Sequence, residues 1–130
     1  MTYLKPVRYG GPSDRMRKVD ELAASDLDYF VAKAEEIFFV RMEDGFIIRV
    51  TKDNKIYYKR PDGSAYPFAP STDWRQGGAI MQSAGISVER TEEGWRAHFK
   101  GLHAARGYTM LEAAMRTRVK MKFGELVESE

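Results

Sequence analysis

The chain has 130 residues, enough for one domain with one buried core. Its apolar and charged shares, 43% and 31%, belong to a folded globular protein rather than a disordered one. The absence of cysteine excludes disulfides, thiolate catalysis and cysteine-bound metal. No run approaches the roughly 18 apolar residues of a membrane span, and Met1 to Pro6 lacks the apolar core of a signal peptide, so a cytoplasmic protein without a membrane partner is expected.

The net charge of +2 hides an uneven distribution. Residues 1–18 carry Lys5, Arg8, Arg15, Arg17 and Lys18 against Asp14 alone. Gly10-Gly11-Pro12-Ser13 breaks any periodicity there, and residues 1–20 read as a basic, flexible N-terminal arm. Ser25 is then placed to cap a helix over about 26–36, with Leu27, Phe30, Val31 and Ala34 on one face.

A strand-rich stretch follows. Phe38–Met42 runs into the turn signal Glu43-Asp44-Gly45, and Phe46–Val50 makes the return strand. Asp53-Asn54 leads to a third strand at Ile56–Lys59, closed by Pro61-Asp62-Gly63. Pro67 and Pro70 impose an extended approach to a second helix, capped by Ser71, Thr72 or Asp73 and stopped by Gly85. Gly77 and Gly78 inside that helix each cost about 1 kcal/mol relative to alanine, which implies a close approach to the backbone by a neighbour or a ligand.

Ile86–Arg90 and Trp95–Lys100 alternate as two half-buried strands around Glu92-Glu93-Gly94, with Trp95, Ala97 and Phe99 pointing one way. Residues 101–108 read as a loop. Thr109 and Glu112 form a T-x-x-E capping box for the last helix, which buries Leu111, Ala114, Met115, Val119 and Phe123 and ends at Gly124. Residues 126–130 read as a frayed acidic tail. The expected fold is therefore α+β, an antiparallel sheet with helices packed on one face, in the order α-β-β-β-α-β-β-α, forming a single domain over 21–125.

No catalytic residue stands out. His98 and His103 are too few for a three-histidine metal site, and no nucleophile elbow, Walker loop or dinucleotide fingerprint is present. The carboxylates of Asp73 and Glu112 occupy positions where helix caps favour negative charge. Neither catalytic nor metal-ligating residues are assigned, and no cofactor is implied.

A binding site is easier to build. Trp74 and Arg75 stand at a helix N-terminus whose free N–H groups suit an anion, and Gly77 and Gly78 leave room for one. Trp74 either offers its ring for stacking or grips the sheet. His103 and Arg106 repeat the recipe before the last helix. Residues 96–122 carry seven cations, from Arg96 to Lys122, against Glu112 alone. Arg116 and Lys120 mark a basic face for nucleic acid, or a merely solvated one.

Several segments, taken in order, resemble one family. They are Leu27-Asp28-Tyr29-Phe30-Val31-Ala32-Lys33-Ala34-Glu35, Tyr66 through Gly78, Trp95-Arg96-Ala97, Ala113-Ala114-Met115-Arg116 and Lys122-Phe123-Gly124. The set is similar to small phage and prophage proteins of the NinX type. The resemblance implies an accessory role in infection and carries over no catalytic residue. The function expected is a non-catalytic phage accessory protein in the cytoplasm of an infected or lysogenic host. It would bind an anionic, nucleotide-type small molecule or a host defence protein, and so counter bacterial defence by sequestration or inhibition. One alternative is a nucleic-acid-binding accessory protein using the basic arm and last helix, and another is a small nucleotide-processing enzyme. A homo-oligomer is expected from the strands over 46–59, where Ile47, Ile56 and Tyr58 suggest an edge open to a symmetry mate.

Overall fold

The computed structural model describes residues 15–36, 46–50 and 55–128. The arm through Asp14, the strand expected at Phe38–Met42, and the turns expected at Glu43-Asp44-Gly45 and Asp53-Asn54 lie outside them.

The architecture is α+β, and the expected order of helices and strands holds. The elements are β1 (Met16–Lys18), a 3-10 turn (Val19–Glu21), α1 (Ala24–Ala34), β2 (Phe46–Val50), β3 (Lys55–Lys59), β4 (Ala65–Pro67), α2 (Trp74–Ala84), β5 (Ser87–Thr91), β6 (Gly94–Phe99), β7 (His103–Gly107), α3 (Met110–Phe123) and β8 (Leu126–Glu128). The antiparallel strands divide among three small sheets, β1-β8, β2-β3-β4 and β5-β6-β7.

Local chemistry sets the helix ends. Asp73 caps α2 by accepting from the Arg75 N–H at 2.8 Å, and Gly85 stops the helix at φ 74°. Thr109 caps α3 by accepting from the Glu112 N–H at 3.0 Å, while the Glu112 carboxylate accepts from the Tyr108 N–H at 2.8 Å. Ser25 does not cap α1: the helix starts one residue earlier, its N-cap is Ala23, and no side chain makes the cap bond.

The core gathers Val19, Leu22, Leu27, Phe30, Val31, Ile56, Met115 and Val119 from both ends and the middle of the chain. α3 lies across the β5-β6-β7 sheet and also packs on α1 and α2. Ile56 sits inside this core, 2% exposed, and Tyr58 stacks on Tyr66 with ring centroids 5.4 Å apart, so neither presents the open edge expected of it. Phe123 is 39% exposed rather than buried, because it lies in the last turn of α3 beyond the sheet contact.

Three further segments differ from expectation. Residues 103–107 form a strand against β6 instead of a loop. Leu126–Glu128 pairs with Met16–Lys18, so the tail and the end of the arm form a small sheet. The Val19 N–H bonds to the Glu125 carbonyl at 2.9 Å, and Val19 and Leu22 are fully buried. Residues 16–22 therefore strap the surface of α3 and close one side of the core.

Candidate functional site

The residues singled out in the sequence fall in three separate places. Trp74 and Arg75 are exposed at the start of α2, with Trp74 at 55%, so its ring is open to solvent and does not grip the sheet. The Asp73 carboxylate already occupies that helix terminus, which lowers its attraction for an outside anion. Gly77 has a packing explanation. A Cβ there would run into the Pro70 carbonyl oxygen and lie 2.9 Å from Leu111 Cδ2, so the close neighbours are a backbone turn and α3. Gly78 faces the Trp74 ring instead, at 3.4 Å from where its Cβ would stand.

His103 and Arg106 are both on β7 but not on one face. Side chains alternate along a strand, so His103 shares a side with buried Ala105 while Arg106 projects from the other. They cannot converge on one ligand.

Arg116 and Lys120 point inward. The Arg116 guanidinium donates to the Leu22 carbonyl at 2.9 Å and the Arg106 carbonyl at 2.7 Å, and pairs with Glu112 at 3.5 Å. Lys120, its side chain only 5% exposed, donates to the Ala104 carbonyl at 2.8 Å and pairs with Asp20 at 2.8 Å and Glu125 at 3.1 Å. The four-residue step on α3 thus matches the two-residue step on β7, and both cations satisfy outward carbonyls of an edge strand. Arg118 pairs with Glu35 and Lys122 with Glu36, so the remaining cations of α3 are also matched by carboxylates.

What these elements do build is a cleft of about 480 Å³, within the range of small-molecule sites. Tyr108 supplies an exposed ring, Arg106 and Arg116 two guanidinium groups, and Asp20 and Glu93 two carboxylates. Trp95 is also on the wall, but its ring packs against the core with the Arg90 guanidinium 5.3 Å from its centroid. The site depends on β7 being a strand. Trp95 pairs in register with Gly107, which places the indole beside the start of α3. Gly107 has no room for a side chain, since a Cβ would stand 2.5 Å from the Ala113 nitrogen. Tyr108 follows at once and is almost wholly exposed. Arg106 and Glu93, 75% and 84% exposed, face each other across the mouth at 3.6 Å. At that exposure their attraction is small, so the pair opens readily. Arg116 is 13% exposed and held by three partners, a fixed donor in the cleft.

Sequence reasoning found Arg106 and Arg116 but missed Trp95, Tyr108, Asp20 and Glu93 as site residues. The one available signal was Gly107-Tyr108 directly before the Thr109 cap. Trp74, Arg75, Gly77, Gly78 and His103 do not line the cleft. Among the described residues no three histidine, aspartate or glutamate side chains gather to hold a metal ion, and no helix is long and apolar enough to cross a membrane.

Residues 18–122 match the family model described as Bacteriophage P22, NinX. No curated protein matches the chain.

Proposed function

The chain belongs to the NinX family of phage proteins, and from that premise we propose that it is a non-catalytic accessory protein binding an anionic, nucleotide-type ligand in the cleft beside Arg106 and Arg116. By holding that ligand in the host cytoplasm it withholds it from a bacterial defence response. The observation that carries this reading is the pairing of the exposed Tyr108 ring with two guanidinium groups in one cleft of ligand size. Rings stack on a heterocyclic base, and a guanidinium fork matches phosphate oxygens.

The nucleic-acid reading receives less support, because Arg118, Lys120 and Lys122 of α3 are each committed to a carboxylate within the chain. A duplex would have to displace those partners along the whole helix.

Thermal unfolding of the full chain against a panel of nucleotides tests the proposal. A ligand present at a hundred times its Kd stabilises by about 2.7 kcal/mol, which moves the melting temperature by several degrees. The shift should vanish in Arg106→Gln. Absence of any shift with millimolar nucleotides would reject the reading.

A further inference from the structure

A second cleft of about 430 Å³ runs along the outer edge of β7 and adjoins the first, with Asp20, Arg106 and Arg116 lining both. Its other charged walls are Arg96 and Lys120, so four cations face a single carboxylate, and no ring lines it. The first cleft holds the aromatic surface and the second holds the excess positive charge.

Arg96 and Arg106 are register partners on neighbouring strands. Like charges directly opposite in an antiparallel pair repel. Each is offset by a carboxylate at its far side, Glu89 at 3.0 Å from Arg96 and Glu93 at 3.6 Å from Arg106. Both carboxylates are more than half exposed, so these contacts are screened and exchange easily for a stronger anion. Arg116 adds fixed donors between the two clefts. Of its five N–H groups, one donates to the Leu22 carbonyl and one to the Arg106 carbonyl, while Nη2 faces the Glu112 carboxylate at the longer distance of 3.5 Å. Lys120 has its donors committed to Ala104, Asp20 and Glu125 and serves the scaffold rather than the ligand.

We infer that the ligand of this site is a nucleoside di- or triphosphate, its base in the first cleft against Tyr108 and its phosphate chain running past Arg106 and Arg116 to Arg96 in the second. The inference rests on the nucleotide reading proposed above and adds the ligand's charge and extent. A monophosphate reaches the guanidinium groups shared by the two clefts. Only a longer phosphate chain reaches Arg96 and relieves the opposed arginines.

Isothermal titration of the full chain with adenosine and guanosine mono- and triphosphates, at physiological salt, decides it. The triphosphate of the preferred base should bind at least about tenfold more tightly than its monophosphate. Arg96→Gln should weaken the triphosphate by about three- to tenfold, the loss of one screened charge-assisted contact, and leave the monophosphate unchanged. Tyr108→Ala should weaken both alike. Melting temperatures of the two variants check that each remains folded, and Arg96→Lys should recover part of the triphosphate affinity. Equal wild-type affinity for mono- and triphosphate would overturn the inference while leaving the nucleotide reading in place. So would an Arg96→Gln effect that is absent or the same for both ligands. Binding of no nucleotide by the wild-type chain removes the nucleotide reading and this inference together.

Discussion

Asp28 Oδ1 accepts a hydrogen bond from the backbone N–H of Ser71 at 2.8 Å, across 43 residues of chain and with both residues buried. The contact joins the middle of α1 to the proline-bounded approach of α2, the two stretches that dominate the family signature. The Ser71 hydroxyl is close enough to favour the carboxylate's charge but makes no hydrogen bond of proper geometry among the described residues, so the N–H carries the contact. Gln76 tightens the same approach, accepting from the Ala69 N–H at 2.7 Å and donating to the Pro67 carbonyl at 2.9 Å. The start of α2 is therefore fixed by side-chain bonds to backbone, which explains its run of mixed polar residues without a ligand.

Burial raises the Asp28 pKa to about 6 from an ordinary 3.8, and the Ser71 N–H opposes the shift without cancelling it. A carboxyl that binds its proton more tightly when folded stabilises the fold fully below the unfolded pKa. That contribution declines as pH rises from about 4 to about 6, by about 1.4 kcal/mol per unit of difference, and is gone above. Asp28→Asn keeps an acceptor for Ser71 and cannot ionise. Denaturant midpoints of both proteins between pH 4 and 7.5 should show the asparagine variant gaining on the wild type up to about pH 6, then holding a constant lead. A difference independent of pH would mean that Asp28 does not titrate in the folded state.

The two glycines of α2 should separate. Gly77→Ala drives a methyl group into the Pro70 carbonyl, and overpacking of this kind costs about 1–3 kcal/mol, more than the roughly 1 kcal/mol that alanine gains in a helix. Gly78→Ala meets only the Trp74 ring at ordinary contact distance and should be neutral or stabilising by up to about 1 kcal/mol. Thermal unfolding of the pair checks this, and equal effects would contradict the packing account.

Helix ends were legible from sequence because their causes are local. Asp73 and Thr109 accept N–H groups two or three residues away, and Gly85 takes the left-handed conformation in place. β7 was not legible. His103-Ala104-Ala105-Arg106-Gly107 contains no β-branched residue and no Phe, Tyr or Trp, and its extended form is imposed by pairing with β6 and by Arg116 and Lys120 on its outer carbonyls. β1 and β8 are three residues each and exist through one long-range pairing, beyond the reach of any local pattern. Misreading 103–107 as a loop is also what merged His103 with Arg106, since only the strand period separates their faces.

The α3 cap offers a narrow check on the local part of this account. Thr109→Ala removes the acceptor for the Glu112 N–H and should lower stability by about 1 kcal/mol. Nucleotide affinity should stay unchanged, because Thr109 does not line either cleft. Titration and unfolding on one sample read both outcomes, and full stability with lost binding would make Thr109 a site residue.

Lys120 and Arg106 should divide stability from binding. Lys120 is nearly buried and joins three elements, bonding to Ala104 on β7, Asp20 in the 3-10 turn and Glu125 after α3. Lys120→Gln removes the charge that these partners share and should cost about 1.5–3 kcal/mol of stability, the range for hydrogen bonds to a charged group. Asp20 and Glu125 remain hydrated at 54% and 69% exposure, which keeps the loss from growing larger. Arg106 is three-quarters exposed and its backbone, not its side chain, anchors Arg116. Arg106→Gln should therefore alter stability by no more than about 0.5 kcal/mol while abolishing the nucleotide-induced melting shift. The comparison needs only unfolding curves with and without nucleotide. If Lys120→Gln were as stable as the wild type yet lost ligand, the buried cation would belong to the site, and the division between scaffold and cleft drawn along α3 would be wrong.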